Sequence, residues 1–221
     1  MDHYRLQQLF QEAANPLRAQ AMSAYMRNQF PYLGIKSPER KTLQKPFLIK
    51  TARPDIAEID TILRELWLWP EREYKYFALD LLTKYTKQWQ PSHLRLFEFM
   101  VLQESWWDTV DLIASKLMGS FFKLYPQQIE ASTQQWLTSG NMWLQRSCLL
   151  YQLTYKSETD TKRLAYFIAQ LQPSDEFFLN KASGWALRQY SKTDPEWVRH
   201  FVSNTTLSPM AVKEGTRLLG K

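Results

Sequence analysis

Apolar residues recur at three- and four-residue spacing almost from end to end of the chain, which predicts helices throughout. Tyr4, Leu6, Leu9, Phe10 and Ala13 open the pattern behind Asp2, a side chain suited to an N-cap. Asn15-Pro16 interrupts it, and Pro16 is placed to begin a second helix, where its missing N–H is not needed and its fixed φ already fits. Phe30-Pro31-Tyr32-Leu33-Gly34 reads as a loop, and Ser37-Pro38-Glu39-Arg40 as a cap followed by a first turn, without the Glu that would complete a capping box. Pro70, Pro91, Pro126, Pro195 and Pro209 fall near further helix starts, and Ser139-Gly140-Asn141 separates two helices. Strand-like alternation is weak. At a typical length, the chain accommodates about ten to thirteen short helices. No Ser/Gly-rich linker or low-complexity stretch divides it, so a single domain over residues 1–221 is expected.

A faint repeat runs under this pattern. Lys75, Arg146 and Lys181 take similar early-helix positions at intervals that are multiples of about 35–36 residues, and Val110-Asp111 stands where the missing member should fall. The expected fold is all-α, an α-solenoid of the TPR or HEAT kind, in which one helix of each stacked pair lines a concave groove. Charged residues recurring at one phase of the repeat would line that groove and make it basic.

Composition narrows the partners. The 221 residues carry a formal charge of +6 with 14% aromatics, including nine Trp. The isoelectric point near 9.3 suits an anionic partner, nucleic acid or an anionic membrane surface, without choosing between them. The one cysteine, Cys148, excludes an intramolecular disulfide and a Cys-rich zinc site, and its neighbours Leu149 and Leu150 predict a buried thiol. The first residues form no charged-then-apolar leader, and no apolar run approaches the roughly 20 residues of a membrane span. A soluble, cytoplasmic chain without a membrane partner is the expectation. His3, His93 and His200 match no metal spacing, and there is no phosphate-binding Gly-rich loop, dinucleotide fingerprint, metalloprotease helix or nucleophile elbow. No metal or cofactor is therefore expected. Any catalysis falls to carboxylates, Arg and aromatics, a set that fits glycosidic bond cleavage.

Several residues break the apolar pattern. Trp107 and Asp111 share a helical face that Val110, Ala114 and Met118 continue. A carboxylate on such a stripe is costly unless paired or kept wet by a groove, although a first-turn Asp can also be satisfied by backbone amides. Arg146 shares a stripe with Leu149, Leu150 and Leu153. It is either half of a structural ion pair, with Asp111 as one candidate partner, or a fork of donors for phosphate. Lys181, Trp185, Arg188 and Lys192 lie on one helical face, cations and a flat aromatic together, as a nucleic-acid contact requires. Lys213, Arg217 and Lys221 form another basic stripe, and Lys36, Arg40, Lys41 and Lys45 cluster at the Pro38 helix start, where free amides also favour phosphate.

The runs Ser105-Trp106-Trp107-Asp108-Thr109-Val110-Asp111 and Trp143-Leu144-Gln145-Arg146 stand beside Leu33-Gly34-Ile35-Lys36-Ser37-Pro38-Glu39-Arg40, Pro70-Glu71-Arg72-Glu73 and Lys181-Ala182-Ser183-Gly184-Trp185-Ala186-Leu187-Arg188. Together they resemble the AlkD family of bacterial DNA alkylation repair glycosylases, built from HEAT-like repeats, over nearly the whole chain. The resemblance implies an active centre of Trp107, Asp111 and Arg146 in a basic groove, with Arg146 holding the lesion's phosphate. Trp185 and Tyr25 would support the DNA contact, and Lys181, Arg188, Lys36, Arg40, Lys41 and Lys213 would serve the phosphates. It implies a monomeric hydrolase that releases N3-methyladenine and N7-methylguanine, and bulkier cationic adducts, from duplex DNA. A non-catalytic helical scaffold and a damaged-DNA binder without turnover are the alternatives.

Overall fold

The computed structural model describes residues 2–220. Within them every regular element is helical and none is a strand. The helices gather into two compact units, residues 1–88 and 89–221. The first holds α1 (His3–Glu12), α2 (Pro16–Tyr25), α3 (Ser37–Leu48), α4 (Ile59–Leu68) and α5 (Arg72–Leu82). The second holds α6 (His93–Leu102), α7 (Trp107–Leu112), α8 (Gly119–Leu124), α9 (Ile129–Thr138), α10 (Met142–Leu150), α11 (Thr161–Leu171), α12 (Phe177–Tyr190), α13 (Pro195–Ser203) and α14 (Pro209–Gly215). Fourteen α-helices thus exceed the ten to thirteen expected, because a π-helical stretch, Ile113–Met118, splits one continuous helical run into α7 and α8.

Local chemistry sets most of the starts. Asp2, Asn15, Asn141, Asp160, Asp194 and Ser208 each accept a hydrogen bond from a first-turn amide of the helix that follows. Pro16, Pro195 and Pro209 are first helical residues. The expected Ser37 cap does not form. Ser37 is itself the first residue of α3, Lys36 holds the cap position, and no side chain caps the helix.

The loop before α3 is fixed from beneath. Glu73, fully buried near the start of α5, accepts from the backbone amides of Leu33 (3.0 Å), Gly34 (2.9 Å) and Ile35 (3.1 Å). Gly34 has φ +85°, and a Cβ there would lie 2.2 Å from the Asn15 carbonyl, so only glycine fits. The Asn15 amide in turn donates to the Leu33 carbonyl at 2.7 Å.

The repeat read from the sequence appears as a period in the long-range hydrogen bonds. Tyr125 Oη donates to the Trp89 carbonyl and Tyr155 Oη to the Gly119 carbonyl, each 36 residues back. Trp136 Nε1 reaches Glu98, 38 residues back, and Tyr85 Oη reaches the Pro54 carbonyl, 31 back. Within each unit, successive helices are thus joined by polar contacts from aromatic side chains at close to one repeat interval. Phe77, Phe97, Phe121, Phe122, Trp136 and Tyr151 are at most 1% exposed. Each such side chain contributes roughly 1.5–3 kcal/mol on burial, which gives the high aromatic content a structural use. Cys148 is buried as expected, its thiol pushed far up by desolvation. No described helix is long and apolar enough to cross a membrane.

Candidate active site

Asp111 and Arg146 meet. Arg146 Nε donates to Oδ1 at 2.7 Å and a terminal nitrogen donates to Oδ2 at 2.9 Å, a two-pronged pair joining α7 to α10. The remaining nitrogen donates to the Phe178 carbonyl on α12. The pairing follows from the repeat, because the partners stand 35 residues apart. Asn141 sets the start of α10 by accepting from the Trp143 and Leu144 amides, which places Arg146 in the second turn.

Beneath the pair lies an aromatic floor. Trp106 packs on Trp143 (5.8 Å between centroids) and Phe178 (5.2 Å), and Trp143 on Phe178 (4.9 Å). The floor keeps water from Arg146, which is 3% exposed at its side chain, whereas Asp111 remains 16% exposed. Burial pushes the Asp111 carboxyl above the ordinary carboxylate value, the Arg146 fork opposes that rise, and nearby Asp108 adds to it. A buried ion pair offers little net stability, and this one stands at an opening.

The opening is a cleft of about 470 Å³ lined by Trp107, Asp108, Asp111, Ser115, Lys116 and Trp185, with Leu112, Leu153, Thr154 and Gln189 completing the wall. Trp107 begins α7, one turn before Asp111 on the same face. Trp185 is carried by α12, which packs closely on α14 through Gly184, where a Cβ would stand 2.6 Å from the Glu214 Cβ. The face predicted from Trp107 and Asp111 does not continue as expected. Val110, Ala114 and Met118 are fully buried, and Ser115, four residues beyond Asp111, and Lys116, four beyond Leu112, line the cleft instead. The Ser115 hydroxyl donates to the Asp111 carbonyl at 2.6 Å.

Of the residues singled out from the sequence, Trp107, Asp111, Arg146 and Trp185 are thus brought together. Arg146 enters as the ion-pair partner of Asp111, and each of its three guanidinium nitrogens donates to a protein oxygen. Lys181 and Arg188, one turn either side of Trp185, both pair with Glu214 of α14, Lys181 at 2.6 Å. The Lys181 hydrogen bond, aided by Arg188, holds the Glu214 carboxyl below its ordinary value. Lys213 is exposed on α14, and Lys221 lies outside the described residues. In the first unit, Arg40 is buried and bonded to Asp80 (2.8 Å) and Gln44 (2.7 Å), so it braces α3 against α5. Lys36 and Lys41 are exposed. Tyr25 is 74% exposed and borders an apolar hollow with Met22, Met26, Tyr32 and Tyr76.

Sequence reasoning did not single out Glu214, Lys116 or Ser115. Glu214 carries a trace in the sequence, since it lies 33 residues beyond Lys181, near the repeat interval. Lys116 carries one as well, since Asp108, Leu112 and Lys116 stand four residues apart on the helical run that holds Asp111. No group of three or more His, Cys, Asp or Glu among the described residues is arranged to hold a metal ion.

Compared with known proteins, residues 6–219 match the family described as DNA alkylation repair enzyme. No curated protein matches the chain. Among solved structures, a predicted DNA alkylation repair enzyme from Enterococcus faecalis is similar with a TM-score of 0.86 and 35% identity, over 94% of this chain and 97% of that one. AlkD2 from Streptococcus mutans shares the fold with a TM-score of 0.60 at 19% identity, over 80% of this chain and 87% of that one.

Proposed function

The chain belongs to the DNA alkylation repair enzyme family, and within it we propose a DNA glycosylase that hydrolyses the N-glycosidic bond of cationic alkylated purines in duplex DNA. The substrates are N3-methyladenine, N7-methylguanine and bulkier adducts of the same charge. The observation that carries this reading is the Asp111 carboxylate, held by Arg146 at the edge of an open cleft between Trp107 and Trp185.

The chemistry suits those groups. A purine alkylated at N3 or N7 already bears positive charge and departs neutral when its bond to C1′ breaks, so it needs little acid assistance. What must be stabilised is the cationic sugar left behind. A carboxylate in a low-dielectric site does so strongly, because its charge is already oriented and need not reorganise. The ring faces of Trp107 and Trp185 add attraction for the same developing cation. Water then adds to C1′, its oxygen forming the new bond while its proton passes to Asp111 or to solvent. Arg146 is a positioning residue in this scheme: its fork sets the plane of the carboxylate and favours the charged form. The open cleft, unlike a deep pocket, places no close wall around a large adduct.

The test is release of free base from a duplex oligonucleotide carrying one N7-methyl-2′-deoxyguanosine, followed in a single turnover. The wild-type protein is expected to liberate 7-methylguanine, and Asp111→Asn to do so about 10²–10³-fold more slowly while still binding the duplex. Duplex binding without base release by the wild-type protein would instead identify a damaged-DNA binder.

A further inference from the structure

We propose that Lys116 is the residue that contacts the DNA phosphate beside the lesion in this cleft, a role for which the sequence pattern offered Arg146; the inference rests on the glycosylase reading above. The cations expected at this site are largely engaged by protein groups. Arg146 gives all three nitrogens to protein oxygens, and Lys181 and Arg188 share Glu214. The cleft wall carries two carboxylates, Asp108 and Asp111, which repel a polyanion at the point where it must come closest. Lys116 is the one cation lining the cleft among the described residues. It is exposed, and no described residue makes a hydrogen bond or ion pair with it. Both Asp111 oxygens accept from Arg146, so Lys116 is not the counter-ion of Asp111.

Helical spacing places Lys116 on this wall. Residues four apart on a helix share a face. Asp108, Leu112 and Lys116 stand at that interval and all line the cleft, beside Trp107, Asp111 and Ser115 at the same interval. The π-helical stretch Ile113–Met118 widens the turn locally and leaves Lys116 on the wall that carries Asp111. The flexible four-carbon stem and compact ammonium of lysine suit a single phosphate approached as a point charge.

The experiment compares the wild-type protein, Lys116→Ala and Lys116→Arg on the duplex with one N7-methyl-2′-deoxyguanosine. Binding is read by fluorescence anisotropy over a salt series, and base release in single turnovers. Lys116→Ala is expected to raise the half-saturating concentration about 5–20-fold and to flatten the log–log salt dependence by about one contact, with the loss falling on half-saturation more than on the maximal rate. Lys116→Arg should recover most of it. Neutral methylphosphonates placed singly at the linkages flanking the lesion should include one that weakens the wild-type protein and leaves Lys116→Ala no worse. Unchanged affinity and salt slope in Lys116→Ala, or equal losses in both proteins at every linkage, would overturn the proposal. If the wild-type protein binds the duplex but releases no base, the glycosylase reading falls, while the anisotropy and methylphosphonate arms still decide the Lys116 contact.

Discussion

Glu73 is a buried carboxylate and Asp111 a half-buried one, on helices of different units, and burial pushes both above their ordinary values. Glu73 is sealed. Its oxygens accept three backbone amides, and its side chain is closed to solvent. Asp111 meets one guanidinium and keeps an edge on a cleft. The difference is one of access: the first has both oxygens bonded to the amides of a loop, the second retains an edge open to a cleft. Glu214 stands between them, buried but bound to two cations that themselves reach solvent.

The strongest way to break this comparison is to exchange the consequences of losing each charge. Glu73→Ala leaves three buried amides without an acceptor, and we expect a loss of about 3 kcal/mol in urea unfolding, with base release per folded molecule retained. Collapse of turnover in a folded Glu73→Ala protein would put Glu73 in the chemistry and dissolve the distinction.

A second comparison uses acidity. In the proposed mechanism Asp111 acts in its charged form, and burial raises its carboxyl above the ordinary value, so base release should fall as pH drops through that raised value. Arg146 lowers the carboxyl's pKa, so removing it raises the pKa further. Arg146→Ala should therefore move the acidic limb of the single-turnover rate to higher pH as well as slow the reaction at neutrality. An acidic limb that stays in place would mean that a group other than Asp111 titrates there.

The smallest expected effect concerns Glu214. Glu214→Gln removes the shared counter-charge of Lys181 and Arg188 and frees both for phosphate. Duplex affinity at low salt should rise a few-fold and its salt dependence steepen, as measured by anisotropy. An unchanged slope would show that the two cations face no phosphate and serve only to join α12 to α14.

The helical content and the interval near 35 residues were legible because both follow from local rules. Apolar spacing specifies a helix face, Asn15, Asn141 and Asp194 specify starts, and a repeat copies contacts at a constant separation. Asp111 and Arg146 stood out as charges on apolar stripes, and pairing with Asp111 was one of the two uses open to Arg146. Their division of labour was not legible: whether Arg146 served a phosphate or a carboxylate depended on what lay across from it. The fate of Lys181 and Arg188 was hidden for the same reason, since Glu214 comes from a different helix brought close by Gly184.

By itself, then, the sequence determined an all-helical repeat protein with a basic bias and an anomalous acid next to a Trp. Those features depend on neighbours within a few turns or on one repeat interval. Only the tertiary structure decided which cations are already neutralised, which carboxylate opens on a cleft, and that Lys116 joins Asp111 on its wall. Charge pairing and solvent exposure are set by what packs across the gap between helices, which no spacing within one helix specifies.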